Sequence, residues 1–184
     1  AGLPRLPAVS PSRPTALAAF LRSIEPRARV LALAQAGPAL EVEALLAELR
    51  QAFGERAPRL PLAEWPLRYW GLLLAREALM NPPAGRLDHP LYLLSPTRRL
   101  ALLLRLVVGL EPAGAARVMG LSAEAFSTLL ADAEEKLAVA GVGPAVLLRW
   151  QEEFQAAVRE AAAPAPAAPA AAAARAAASS APNR

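Results

Sequence analysis

Leucine and alanine with a single isoleucine, Ile24, leave this chain one economical way to bury apolar surface, which is to pack helix on helix. Both residues are strong helix formers, whereas the β-branched residues that favour a pleated sheet are scarce. An all-α fold is therefore expected. Nineteen prolines punctuate the 184 residues and supply helix starts and breaks.

Periodicity divides the chain into two helical regions. Pro14 opens a helix with Leu17, Phe20, Leu21 and Ile24 on one face, at the i, i+3, i+4, i+7 spacing of an amphipathic helix. Pro26 is expected to end or restart it, and a second helix runs to Gly37. A third is expected from Pro38, with Leu40, Leu45, Leu49 and Phe53 as core, and a fourth over residues 61–80, with Trp65, Leu67, Trp70, Leu73 and Leu74. Aromatic residues at helical spacing serve packing more often than ligand binding, so Trp65 and Trp70 are assigned to the core. The breaker run Asn81-Pro82-Pro83-Ala84-Gly85 opens a linker. The expected organisation is a disordered arm (1–13), a helical domain (14–80), a linker (81–94), a second helical domain (95–160) and a disordered tail (161–184). The tail, almost wholly alanine and proline, has no apolar face to bury.

Within the second region, Ser95 is placed to cap a helix with Pro96 at its first position. Leu100, Leu103, Leu104 and Val107 share one face of it. Gly109-Leu110-Glu111-Pro112 breaks the pattern, and a short helix follows over residues 113–119. After the turn Gly120-Leu121-Ser122, a longer helix carries Phe126, Leu129, Leu130, Ala133 and Leu137 as its core stripe. A short helix, a glycine turn and a longer helix make the layout of a helix-turn-helix. Phe126, Leu130 and Leu103 are expected to be buried together.

Residues 94–137 resemble the C-terminal domain of the extracytoplasmic-function sigma factors of bacterial RNA polymerase. The match rests on Leu94-Ser95-Pro96 followed by Arg98 and Arg99, on Gly109-Leu110, Ala116 and Gly120-Leu121-Ser122, and on Phe126, Leu130, Ala133 and Leu137, without a gap. Residues 14–80 resemble the family's N-terminal domain more loosely. There the match rests on Phe20-Leu21-Arg22, the alanine-rich run ending at Gly37, Glu43-Ala44-Leu45-Leu46, Phe53, and Trp65-Pro66-Leu67-Arg68-Tyr69-Trp70; the family's Ile-Ala-x-Asn and Asp-x-x-Arg are replaced by Leu73-Leu74-Ala75-Arg76. The resemblance implies a two-domain transcription protein that binds core RNA polymerase and docks on promoter DNA.

Charge complicates that implication. Residues 56–105 carry eight arginines against Glu64, Glu77 and Asp88, a surplus of +5, so a polyanion would be drawn there. Arg68, Arg76, Arg98, Arg99 and Arg105 are the candidate contacts, and a solvated helix face is the competing reading of the same residues. The longer helix is instead acidic: Glu124, Asp132, Glu134 and Glu135 stand against Lys136. The family's basic positions read Ser127, Leu129, Asp132 and Glu134. Ala123, Glu124, Ser127, Thr128 and Ala131 are the outward positions that a family member would present to the major groove, and Ser122, the cap, joins Glu124, Ser127 and Thr128 among the candidate contacts. None can make the bidentate arginine contact to guanine, and an acidic helix forfeits phosphate neutralisation.

Two main readings follow: a working sigma-like factor that binds polymerase and duplex DNA, or a sigma-like module that has lost promoter reading and engages polymerase or an anti-sigma-like protein; a generic helical scaffold protein is the third. Catalysis is not expected. His89 is the only histidine, there is no cysteine, and Glu134-Glu135 and Glu152-Glu153 are i, i+1 pairs that diverge on a helix. No cofactor or metal is expected. The chain is expected to be cytoplasmic, with no signal peptide in residues 1–13 and no stretch apolar enough to span a bilayer.

Overall fold

The computed structural model describes residues 12–81 and 88–164. Among these the protein is all-helical, with eight α-helices and no strand: α1 (Arg13–Ala36), α2 (Val42–Arg56), α3 (Trp65–Leu74), α4 (Glu77–Met80), α5 (Pro96–Leu103), α6 (Pro112–Met119), α7 (Ala123–Val139) and α8 (Pro144–Ala162). No described helix is long and apolar enough to cross a membrane.

Helix α1 is the axis. It packs against α2, α3, α4, α5 and α8, so both halves of the sequence close over it, and the buried apolar residues of the two halves form one cluster. The helix runs unbroken through Pro26, contrary to the expected break. An interior proline removes one hydrogen bond and crowds the preceding carbonyl, a cost of about 3 kcal/mol. Here Pro26 is itself buried, and Leu21, Ile24, Ala28 and Leu31 hold the helix against its neighbours on both sides of the defect. Arg13 opens this helix and donates to the Pro58 carbonyl, so it does not belong to an arm; residues 1–11 lie outside the described region.

Gly37 ends α1 at φ 85°, and the turn after it delays α2 to Val42 instead of Pro38. The expected helix over residues 61–80 is divided. A 3-10 turn, Leu62–Glu64, precedes α3, and Arg76, extended at ψ 124°, separates α3 from α4. That break lets Leu79 turn into the core, where it is fully buried. Phe20, Phe53, Trp65 and Tyr69 form an aromatic cluster where α1, α2 and α3 meet, with ring centroids 5.3–5.9 Å apart. Trp65 and Trp70 are core residues, as their spacing indicates. Burial pushes the Tyr69 hydroxyl well above its ordinary pKa, and the charge of Glu25 adds to the effect.

In the second half, α5 widens into a π-helical turn, Leu104–Val108, which Gly109 closes in the left-handed conformation at φ 73°. Such widening disturbs the i→i−4 ladder. The Gln155 side chain of α8 compensates, donating to the Leu106 and Val107 carbonyls at 3.0 and 3.1 Å. Helix α8, within the expected second region, joins the π turn to α1. It ends at Ala162, and residues 165–184, most of the expected tail, lie outside the described region. Phe126, Leu130 and Leu103 are buried as expected.

Candidate interaction surfaces

The short helix α6 ends at Gly120, whose φ of 68° is the left-handed conformation that glycine adopts at least cost. Ser122 then caps α7, its hydroxyl accepting the Ala125 N–H at 3.1 Å. Phe126, Leu130, Ala133 and Leu137 face inward. Ala123, Glu124, Ser127, Thr128 and Ala131 are all exposed, as the helical register requires. This face carries one negative charge and no cation.

The arginines of the expected contact stripe are engaged inside the molecule. Arg98 reaches across to Asp132 of α7 at 3.3 Å, and Arg105, two turns on, reaches Glu134 at 3.2 Å. Arg68 pairs with Glu64 at 3.2 Å and Arg76 with Glu48 at 3.3 Å. Exposed pairs of this kind contribute about 0–1 kcal/mol, so they contribute little to stability, yet each lowers the local positive potential. The apparent surplus in residues 56–105 is thus offset in part by carboxylates from elsewhere in the sequence.

Arg99 is not a surface residue at all. It is 5% exposed, which removes it from the candidate contacts. Its guanidinium donates to the Gln35 carbonyl at 2.5 Å and the Leu94 carbonyl at 3.1 Å, and lies 4.5 Å from the centre of the Tyr92 ring. Tyr92 donates to the Ala34 carbonyl at 3.0 Å. The Gln35 amide, also buried, donates to the Leu79 and Pro96 carbonyls at 2.9 Å each. A helix leaves its last carbonyls without partners and favours a cation there. Tyr92 and Arg99 fill that need for α1, and Gln35 ties α4 and α5 to it. Burial lowers the Arg99 pKa, partly countered by Tyr92. A lone glutamine within the run Ala32-Leu33-Ala34-Gln35-Ala36 was the available signal for this junction; nothing local to Arg99 distinguishes it from Arg98.

Residues 88–94, expected as linker, also contribute to the junction. Pro90–Leu93 form a 3-10 turn, with Leu91 and Leu94 buried. His89 accepts the Leu91 N–H at Nδ1, 3.2 Å away, and its ring lies 4.6 Å from that of Trp150. Desolvation lowers its pKa, against the opposing charge of Glu153.

A second surface is apolar. A groove of about 600 Å³ runs between α5, α7 and α8, with Leu106, Val142 and Leu147 along it and Glu134 and Glu135 at one side. Leu148, which lines it, is 58% exposed. Large apolar side chains grouped on a surface mark interaction sites more often than isolated ones do.

Comparison with protein-family models, curated proteins and solved structures gives no match to the chain.

Proposed function

We propose that this chain is a non-catalytic, sigma-like interaction module that engages core RNA polymerase through protein surfaces and does not read promoter DNA. One observation carries the proposal. The helix in the position of a recognition helix presents Ala123, Glu124, Ser127, Thr128 and Ala131, and the arginines beside it are held by its own Asp132 and Glu134. Sequence readout of guanine draws on arginine or lysine, and non-specific affinity on phosphate neutralisation. This face offers neither. The sigma-like frame of residues 94–137 supplies the choice of partner, and the groove beside Leu148 supplies an apolar docking surface flanked by Glu135 and the Arg105–Glu134 pair.

The competing reading, a working sigma factor with a helix-turn-helix domain, draws support from the left-handed Gly120, the Ser122 cap and the outward register of α7. The two separate cleanly in a reconstituted system. Purified chain should co-elute with purified bacterial core RNA polymerase in size-exclusion chromatography, without retaining promoter DNA in the complex. Leu148→Asp should abolish co-elution while leaving the melting curve intact, because Leu148 is already exposed. Absence of any complex with core polymerase contradicts the proposal, and retention of promoter DNA by the complex restores the working sigma factor.

A further inference from the structure

The end of α2, α3 and α6 enclose a half-open cleft of about 650 Å³, within the ~300–1,000 Å³ range of small-molecule sites. Its apolar lining includes Leu60, Leu67, Leu72 and Val118, each only half-buried. Around it stand four arginines: Arg56, Arg59, Arg68 and Arg117. Arg68 is paired with Glu64. Arg56, Arg59 and Arg117 make no ion pair among the described residues. Segments 1–11, 82–87 and 165–184 contain no Asp or Glu. Three cations without an ion pair beside an apolar hollow offer several guanidinium donors to an anion placed among them.

We propose that this cleft binds a phosphomonoester carrying an apolar tail. A phosphomonoester brings a charge of about −1.5 to −2 and three acceptor oxygens near neutral pH, and guanidinium groups grip it in bidentate fashion. A single carboxylate would leave most of the positive charge uncompensated. The tail occupies the aliphatic lining. A nucleic acid fits less well, because Phe53, the aromatic residue at the cleft, is fully buried in the aromatic cluster and cannot stack on a base. The bound ligand spans α3 and α6, so it clamps together helices from the two halves of the sequence. The site shares no lining residue with the outer face of α7 or with the Leu148 groove, and it stands whether or not polymerase is the partner.

Isothermal titration calorimetry on the full chain tests this with octyl phosphate below its micelle-forming concentration, inorganic phosphate, and octyl glucoside. Octyl phosphate should bind about tenfold tighter than inorganic phosphate or better, since burying about two methylenes already gives that factor, and tighter than octyl glucoside, which has the same tail and no charge. The exposed triple substitution Arg56→Gln, Arg59→Gln, Arg117→Gln should abolish binding without altering the unliganded melting curve. Gly71→Leu places a side chain at the cleft from a helical position with no atom within 4 Å of the added Cβ. It should erase the advantage of octyl phosphate over inorganic phosphate. Sedimentation with phosphatidic acid vesicles distinguishes the sources: co-sedimentation together with octyl phosphate binding indicates a lipid, and octyl phosphate binding alone a soluble ligand. Octyl phosphate no tighter than octyl glucoside, binding that survives the triple substitution, or vesicle binding alone overturns the proposal.

Discussion

At the C-terminal end of α1, Gln35, Tyr92 and Arg99 direct their polar groups onto backbone carbonyls of α1, α4, α5 and the turn before it. On the outer face of α7, Glu124, Ser127 and Thr128 face solvent, and no described side chain is bonded to them. The first region is where polar chemistry holds the fold together; the second is where a fold of this layout would present chemistry to a partner, and it carries almost none. Arg98 and Arg99 show the contrast within one step of chain. One guanidinium is buried over an aromatic ring and bonded to carbonyls, while the other lies at the surface against Asp132. Composition treats them alike, and only the helical rotation of about 100° per residue sends one to the core and one to α7.

The largest expected effect comes from the core that holds α7 in place. Phe126→Ala should cost about 3–5 kcal/mol in chemical denaturation, since the side chain is almost fully buried; a loss under 1 kcal/mol would mean that α7 is not anchored by this residue. Next is the buried arginine. Arg99→Ala removes a cation from two carbonyls and should cost about 2–4 kcal/mol, whereas Arg98→Ala should cost about 1 kcal/mol or less and less still in high salt. Equal losses for the two would erase the contrast between junction and surface.

Smaller changes sharpen it further. Gly120→Ala should cost about 1–2 kcal/mol, because a Cβ is disfavoured in the left-handed conformation although nothing lies within 4 Å of it. Ser122→Ala should cost about 1 kcal/mol through loss of the cap. Differential scanning calorimetry on both variants measures these losses, and a stabilising Gly120→Ala would show that the turn is not built as described.

Much of the fold was legible because its causes are local. The Leu and Ala stripes, the Ser95 and Ser122 caps and the left-handed Gly109 and Gly120 all lie in sequence beside the elements they shape. The inward register of Phe126 and Leu130 followed from spacing alone. What escaped is non-local. Pro26 reads as a breaker, and only the packing of residues around it on α1 offsets its cost. The split at Arg76 places Leu79 in the core, beside α1, a contact that periodicity does not encode. The candidate site was legible in part: the exposure of the outward positions of α7 follows from register, but charge counting could not foresee that Asp132 and Glu134 would sit opposite Arg98 and Arg105. Of the cleft cations, Arg56 and Arg59 stand three residues apart at and just beyond the end of α2, but Arg117 comes from α6, and no sequence spacing brings it to them.

The proposed absence of promoter reading on α7 is tested most directly by fluorescence anisotropy of the full chain with short duplexes, at two salt concentrations. The full chain is the right subject, because α5 and α8 pack on α1 and an isolated second half would expose that face. The unmodified protein should show negligible binding near physiological salt. Glu124→Lys with Ser127→Arg and Thr128→Arg should create salt-dependent affinity, since each new phosphate contact adds counterion release. Asp132 is left untouched so that its pairing with Arg98 survives. Tight, sequence-selective binding by the unmodified chain would contradict the proposed function and make α7 a DNA-reading helix.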